Sequence, residues 1–133
     1  MLRELEPEVA RQLVAEKFHE IADDASRQDF ALPDGWIYLG TNDCVCAFAP
    51  VNSVTWEVHV AARFRARAGE VLREAIAEMG RRGARKVVAS PPVYNLRAIR
   101  CGLRAGMRVE GIRERSFPRG GVLHDQILLG VSI

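Results

Sequence analysis

Val54-Thr55-Trp56-Glu57-Val58-His59-Val60-Ala61-Ala62-Arg63-Phe64-Arg65-Ala66-Arg67-Ala68-Gly69-Glu70 changes character half-way along. Val54 to Ala61 is strand-like, whereas beyond Glu70 the apolar residues Val71, Leu72, Ala75, Ile76 and Met79 recur at helical spacing. Three arginines, Arg63, Arg65 and Arg67, stand at the change of period. A strand feeding a helix through such a loop suits an anion, because the first N–H groups of a helix have no intrahelical acceptor and carry a partial positive charge.

Working outward, Trp36 to Gly40 and Cys44 to Ala49 are two further strand-like runs. Thr41-Asn42-Asp43 and Val51-Asn52-Ser53 punctuate them as hairpin turns, which predicts an antiparallel meander. On the other side, Gly80 and Gly83 bracket a helix stop, and Lys86 to Ser90 is a short buried-type strand closed by Pro91-Pro92. Asn95 can cap a helix carrying Leu96, Ile99 and Leu103, with Gly106 at its end. Met107 to Arg115 and Leu123 to Val131 form a final strand pair around Pro118-Arg119-Gly120-Gly121. At the start, Pro7 and Glu8 suit a first helical turn, followed by the stripe Val9, Leu13, Val14, Phe18, Ile21 and Ala22. Residues 23–35 are acidic and turn-like. The order is helix, three strands, helix, strand, helix, two strands: a mixed α/β chain with one βαβ crossover in its middle.

The chain has 133 residues, 48% hydrophobic and 27% charged, with no repeat or linker-like tract, so residues 1–133 are expected to form one domain. The longest uncharged stretch, Cys44 to Trp56, is too short and polar to span a bilayer. Leu2 to Glu8 is acidic where a secretion signal would turn apolar. Three cysteines, an odd number, argue against a disulfide framework and for a reducing compartment, so a cytoplasmic protein without a membrane partner is expected. Cys44 and Cys46 on a strand would share one face as small buried residues; no four-ligand spacing completes a metal site.

Charge is uneven: residues 1–62 sum to −7 and residues 63–133 to +9. The basic half suits an anionic partner, or else forms the solvated faces of two helices. A nucleic-acid partner is disfavoured, because only Phe64 is interleaved with the arginine cluster. Glu57 and His59 lie two apart on one face of a strand, where either could act as a general base or the two could simply satisfy each other. Trp56 and Val58, on the other face, are core candidates. Arg97, Arg100 and Arg104 form a basic stripe on the second C-terminal helix, and Cys101 faces the core.

Three local patterns carry a resemblance to the GNAT superfamily, whose members move an acetyl group from acetyl-CoA to an amine. Val60 to Glu70 follows a strand and opens a helix, as that family's pyrophosphate loop does. Asn95-Leu96-Arg97-Ala98 through Gly106-Met107 resembles its Asn-to-Gly pattern. Glu110-Gly111-Ile112-Arg113, with Asp125 twelve residues later, resembles the branch that acetylates ribosomal-protein N-termini and small GNAT-like phage proteins. The resemblance implies a central, mostly antiparallel sheet of six or seven strands flanked by about three helices. It implies an N-acetyltransferase working by direct attack, with acetyl-CoA as acyl donor, no metal, and an amine acceptor that is a small molecule or a protein N-terminus. A homodimer could form through an edge strand near residues 107–132.

Carried over residue by residue, the resemblance gives Glu57 the place of an acidic residue acting as base through water, and the imidazole of His59, two residues on, is a candidate for the same catalytic role. The resemblance gives Val60, Ala61, Arg65, Ala66, Arg67, Ala68, Gly69, Glu70, Asn95, Arg97 and Arg100 to acetyl-CoA. The family's loop positions fall on Arg65, Ala68 and Glu70, and its acidic tyrosine falls on Gly102, next to Cys101 and eight residues after Tyr94. Those departures motivate the alternative, a catalytically degenerate GNAT-fold protein serving as a phage accessory or regulatory binding module. An acidic first half further suggests a cationic acceptor.

Overall fold

The structure, a computed structural model, describes residues 1–17, 23, 33–64 and 66–133. Its elements are β1 (Arg3–Glu4), α1 (Pro7–Glu16), β2 (Ile37–Gly40), β3 (Cys44–Pro50), β4 (Thr55–Ala62), α2 (Ala68–Arg81), β5 (Lys86–Ala89), α3 (Leu96–Arg104), β6 (Arg108–Arg119) and β7 (Val122–Ser132). The seven strands form one sheet in the order β1-β2-β3-β4-β5-β7-β6. Every neighbouring pair is antiparallel except β4 and β5, which α2 connects. This is the expected meander followed by the expected crossover.

Local chemistry accounts for the turns. Asn52 Oδ1 accepts from the N–H groups of Val54 (3.0 Å) and Thr55 (2.8 Å), an Asx turn that closes the β3–β4 hairpin. Gly120 and Gly121 both have positive φ (62° and 75°), so the β6–β7 hairpin turns in two residues and its strands run longer than their apolar pattern suggests. Pro118 is tolerated inside β6 because that strand is the edge of the sheet. Asn95 caps α3 as expected, accepting from Ala98 N–H at 3.1 Å.

One difference from expectation has a physical reason. The two-residue strand β1 pairs with Leu39 and Gly40, and two residues are too few to show a periodicity. The α1 helix ends at Glu16; Phe18, Ile21 and Ala22, expected to continue its stripe, lie outside the described residues, as does most of the acidic segment.

β3 is buried on both faces. Cys44, Cys46 and Phe48 join Val58, Val87 and Leu129 beneath Leu72, Ala75 and Met79 of α2. Val45 and Ala47 point the other way and pack with Tyr38, Ala61 and the α1 residues Ala10 and Leu13. Continuous burial explains why Cys44 to Phe48 reads as an unbroken apolar run rather than an alternating one. No helix among the described residues is long and apolar enough to cross a membrane.

Candidate active site

The parallel register between β4 and β5 lasts only three pairs: Thr55 with Lys86, Trp56 with Val87, and Glu57 with Val88. Beyond it, β4 continues to Ala62 while β5 ends at Ala89. Pro91 and Pro92 have no N–H for a ladder with β4, and the chain there follows β7 instead. Ile127 N–H donates to Pro91 O, and Val93 N–H to Asp125 O. The strands therefore part, and a cleft of about 360 Å³ opens between them.

One wall of the cleft is apolar: Val58, Val60 and Ala62 of β4, Ala68 and Leu72 of α2, and Ala98, Cys101 and Gly102 of α3. Burial pushes the Cys101 thiol up to about 11, so it stays protonated and unreactive at neutral pH. Gly102 has a packing reason, since a Cβ there would lie 2.7 Å from Leu129 Cδ1. Tyr94 does not line the cleft; its ring packs edge-on against Phe117 (6.2 Å) and His124 (4.8 Å).

The other wall is polar. His59 Nε2 lies 3.1 Å from Glu57 Oε1, and both side chains line the cleft. The His59 ring stacks on Trp36 with centroids 5.5 Å apart and planes 11° from parallel, which fixes its orientation. The hydrogen bond from His59 holds the Glu57 carboxyl below the usual carboxylate value, against the effect of burial and with help from Arg113. A depressed folded value contributes stability above the unfolded carboxylate value, and that stability is lost as pH falls through the folded one. Glu57→Gln is therefore expected to flatten the loss of stability below about pH 4. Urea midpoints between pH 5 and 3 measure this, and an unchanged slope would contradict it.

At the far end stands the α2 N-terminus. Arg67 precedes it in the left-handed region (φ 51°, ψ 50°), and no side chain caps the helix. Glu70 and Val71 N–H donate to Arg67 O (3.0 and 3.1 Å), which leaves the N–H groups of Ala68 and Gly69 to face a ligand. Glu70, in the first turn, does not fold back on them: its carboxylate is 72% exposed and lies 3.8 Å from Arg67. Gly69 is required by packing, because a Cβ there would stand 2.9 Å from Arg104 Cβ. Arg63 is committed elsewhere. It makes a two-pronged pair with Glu16 (2.8 and 3.0 Å) and reaches Asp43 at 3.0 Å.

Of the residues predicted from sequence, Glu57, His59, Val60, Ala68, Asn95 and Arg97 meet in the cleft lining. Ala66, Arg67, Gly69 and Glu70 lie at the α2 start, outside that lining, and Arg100 is exposed on α3. The Ala61 side chain is buried on the opposite face, beneath α1. Arg65 lies outside the described residues. Sequence reasoning missed Ser90, Arg113, Phe117 and Gln126, which also line the cleft, as does Asp23 of the acidic segment expected to face the acceptor. Gln126 Nε2 donates to Ser90 O at 2.6 Å, tying β7 to the end of β5.

No family profile matches the sequence, and no curated protein matches it by sequence. Solved structures do match by shape. The Salmonella typhimurium protein yncA, assigned as an acetyltransferase and solved with its cofactor acetyl-CoA, aligns at TM-score 0.79 and 15% identity, over 99% of this chain and 92% of its own. A ribosomal-protein-alanine N-acetyltransferase from Brucella melitensis aligns at 0.74 and 15%, over 100% and 99%. A GNAT-family acetyltransferase from Streptococcus pneumoniae aligns at 0.75 and 17%, also over 100% and 99%. The seven-stranded mixed sheet with its three helices shares the fold of these GNAT acetyltransferases.

Proposed function

We infer that the protein is an N-acetyltransferase that takes its acetyl group from acetyl-CoA and delivers it to an amine. The observation that carries this is the cleft itself, with an uncapped helix N-terminus at one end and a carboxylate–imidazole pair on its polar wall. The residues fit acetyl-CoA. The α2 start and Arg67 suit a pyrophosphate, the unpaired edge of β4 beyond Glu57 offers backbone groups to an extended arm, and Asn95 and Arg97 line the opposite side.

When bound, acetyl-CoA would supply an activated thioester carbon for direct attack by the amine, the C–S bond breaking as the amide forms and the CoA thiolate leaving to take a proton from solvent. The chain's own residues orient the amine and move its proton. Glu57, ionised at neutral pH, attracts the ammonium, and the Glu57–His59 pair accepts the proton as the nitrogen becomes nucleophilic. The apolar wall would shield the thioester from hydrolysis on one flank, while Glu57 and His59 stay partly open to the solvent from which the amine arrives.

Calorimetric titration with acetyl-CoA tests the reading: micromolar affinity is expected, and absence of binding at millimolar ligand would overturn it. Ligand at a hundred times Kd should stabilise the fold by about 2.7 kcal/mol. Because Glu70 points to solvent, Glu70→Gln should change that affinity by less than about fivefold, the size of an exposed ion pair. A tenfold or greater gain would instead mean that the carboxylate competes with the phosphates.

A further inference from the structure

We propose that the acceptor is a free α-amino acid, its ammonium held at Glu57 and its carboxylate at Arg113. This rests on the acetyltransferase reading and goes beyond it by naming the substrate class. Leu129 of β7 belongs to the core beneath α2, so Gln126, three residues away, projects from the opposite face of the sheet. Arg113 is the cross-strand partner of Gln126 and shares that face. Glu57 and His59 project from the same side, since their neighbour Val58 packs in the α2 core. All four side chains line one cleft, so an anionic and a cationic group face a common space from strands on either side of β5.

The fold aims Arg113 deliberately. Between the pairs Arg113–Gln126 and Phe117–His124 the register slips, with three residues of β6 opposite Asp125 alone. Arg115 takes a left-handed conformation there (φ 49°), and Asp125 Oδ1 accepts its N–H at 2.8 Å. A bulge pinned in this way re-aims the side chains on both sides of it, and Phe117 joins Arg113 in the cleft lining.

Arg113 makes no ion pair at contact distance among the described residues, while Glu57 is satisfied by His59. Its influence on the Glu57 carboxyl is electrostatic across the cleft. An unmatched guanidinium beside a matched carboxylate recognises a molecule carrying both charges. A polyamine or aminoglycoside would meet Arg113 with like charge, and a protein N-terminus has no carboxylate next to its amine. Asp23 also lines the cleft and adds to its negative side.

The test is steady-state acetylation of the twenty L-amino acids, each compared with its carboxamide, at saturating acetyl-CoA. Wild-type protein is expected to prefer the acid over the amide by about tenfold in kcat/KM for its best substrates, the scale of one charge-assisted hydrogen bond from an exposed arginine. In Arg113→Gln that preference should collapse toward unity through KM, and Arg113→Lys should restore part of it. Equal use of acid and amide by the wild type, or acetylation of amines but of no amino acid, would overturn the proposal even if Arg113→Gln fails to fold. Calorimetry of acetyl-CoA with the wild type reads the underlying function separately: binding without amino-acid turnover sinks this proposal alone, whereas no binding sinks both.

Discussion

Glu57→Gln is expected to lower kcat by roughly 10²–10⁴-fold, the usual contribution of a positioned general base. The substitution keeps the size and much of the hydrogen bonding of the side chain, so the cleft should keep its shape. What it removes is the negative charge that the ammonium faces and the basicity that His59 shares at 3.1 Å. Because the apolar wall of the cleft comes from other residues, acetyl-CoA affinity should be retained. The loss should therefore fall on kcat and on acceptor KM, and raising the pH should recover part of it by delivering the amine already neutral. A kcat within threefold of wild type would remove Glu57 from the chemistry and leave His59 to be tested in its place.

Gly40→Ala is expected to destabilise the fold by about 3 kcal/mol or more, as large as a core truncation. A Cβ at position 40 would lie 1.9 Å from the Cys44 carbonyl oxygen, 3.0 Å from its carbon and 3.1 Å from Val45 Cα. These are backbone atoms, so no rotamer change relieves the contact. Relief requires opening the β2–β3 hairpin, which breaks the hydrogen bond from Thr41 N–H to Cys44 O (2.9 Å) and shifts Cys44 and Cys46 out of the core. Urea unfolding measures this; a loss below 1 kcal/mol would mean that the hairpin yields easily.

Local chemistry made much of this fold readable in advance. Asn52, Asn95 and the Gly120-Gly121 pair each act on residues within a few positions of themselves, and the helical stripe of α2 reports its own buried face. The catalytic candidates Glu57 and His59 were legible for the same reason, since strand alternation alone puts them together. Arg113 was not. Its entry into the cleft depends on a bulge set by Asp125, and a left-handed arginine leaves no mark in a hydrophobic pattern. The pairing of Arg63 was hidden for a related reason: its partner Glu16 is 47 residues away, and only the folded chain brings the two together. Gly69 and Gly102 resemble loop and catalytic positions by spacing, yet each is needed where two backbones or a backbone and a leucine approach closely.

The seam at which β4 and β5 part is also where the charge of the chain changes sign. Strands β1 to β4 belong to the half that carries −7, and α2, β5, α3, β6 and β7 to the half that carries +9. Ion pairs cross the divide at Arg63–Glu16 and Arg82–Glu4, each 2.8 Å long. Only three rungs join the halves within the sheet itself. In the unfolded chain each half therefore attracts the other as a counterion would, and refolding is expected to slow as added salt screens that attraction, which stopped-flow refolding at rising salt measures. Salt that shortens the reach of that attraction below about 8 Å slows the encounter while leaving the finished core almost untouched.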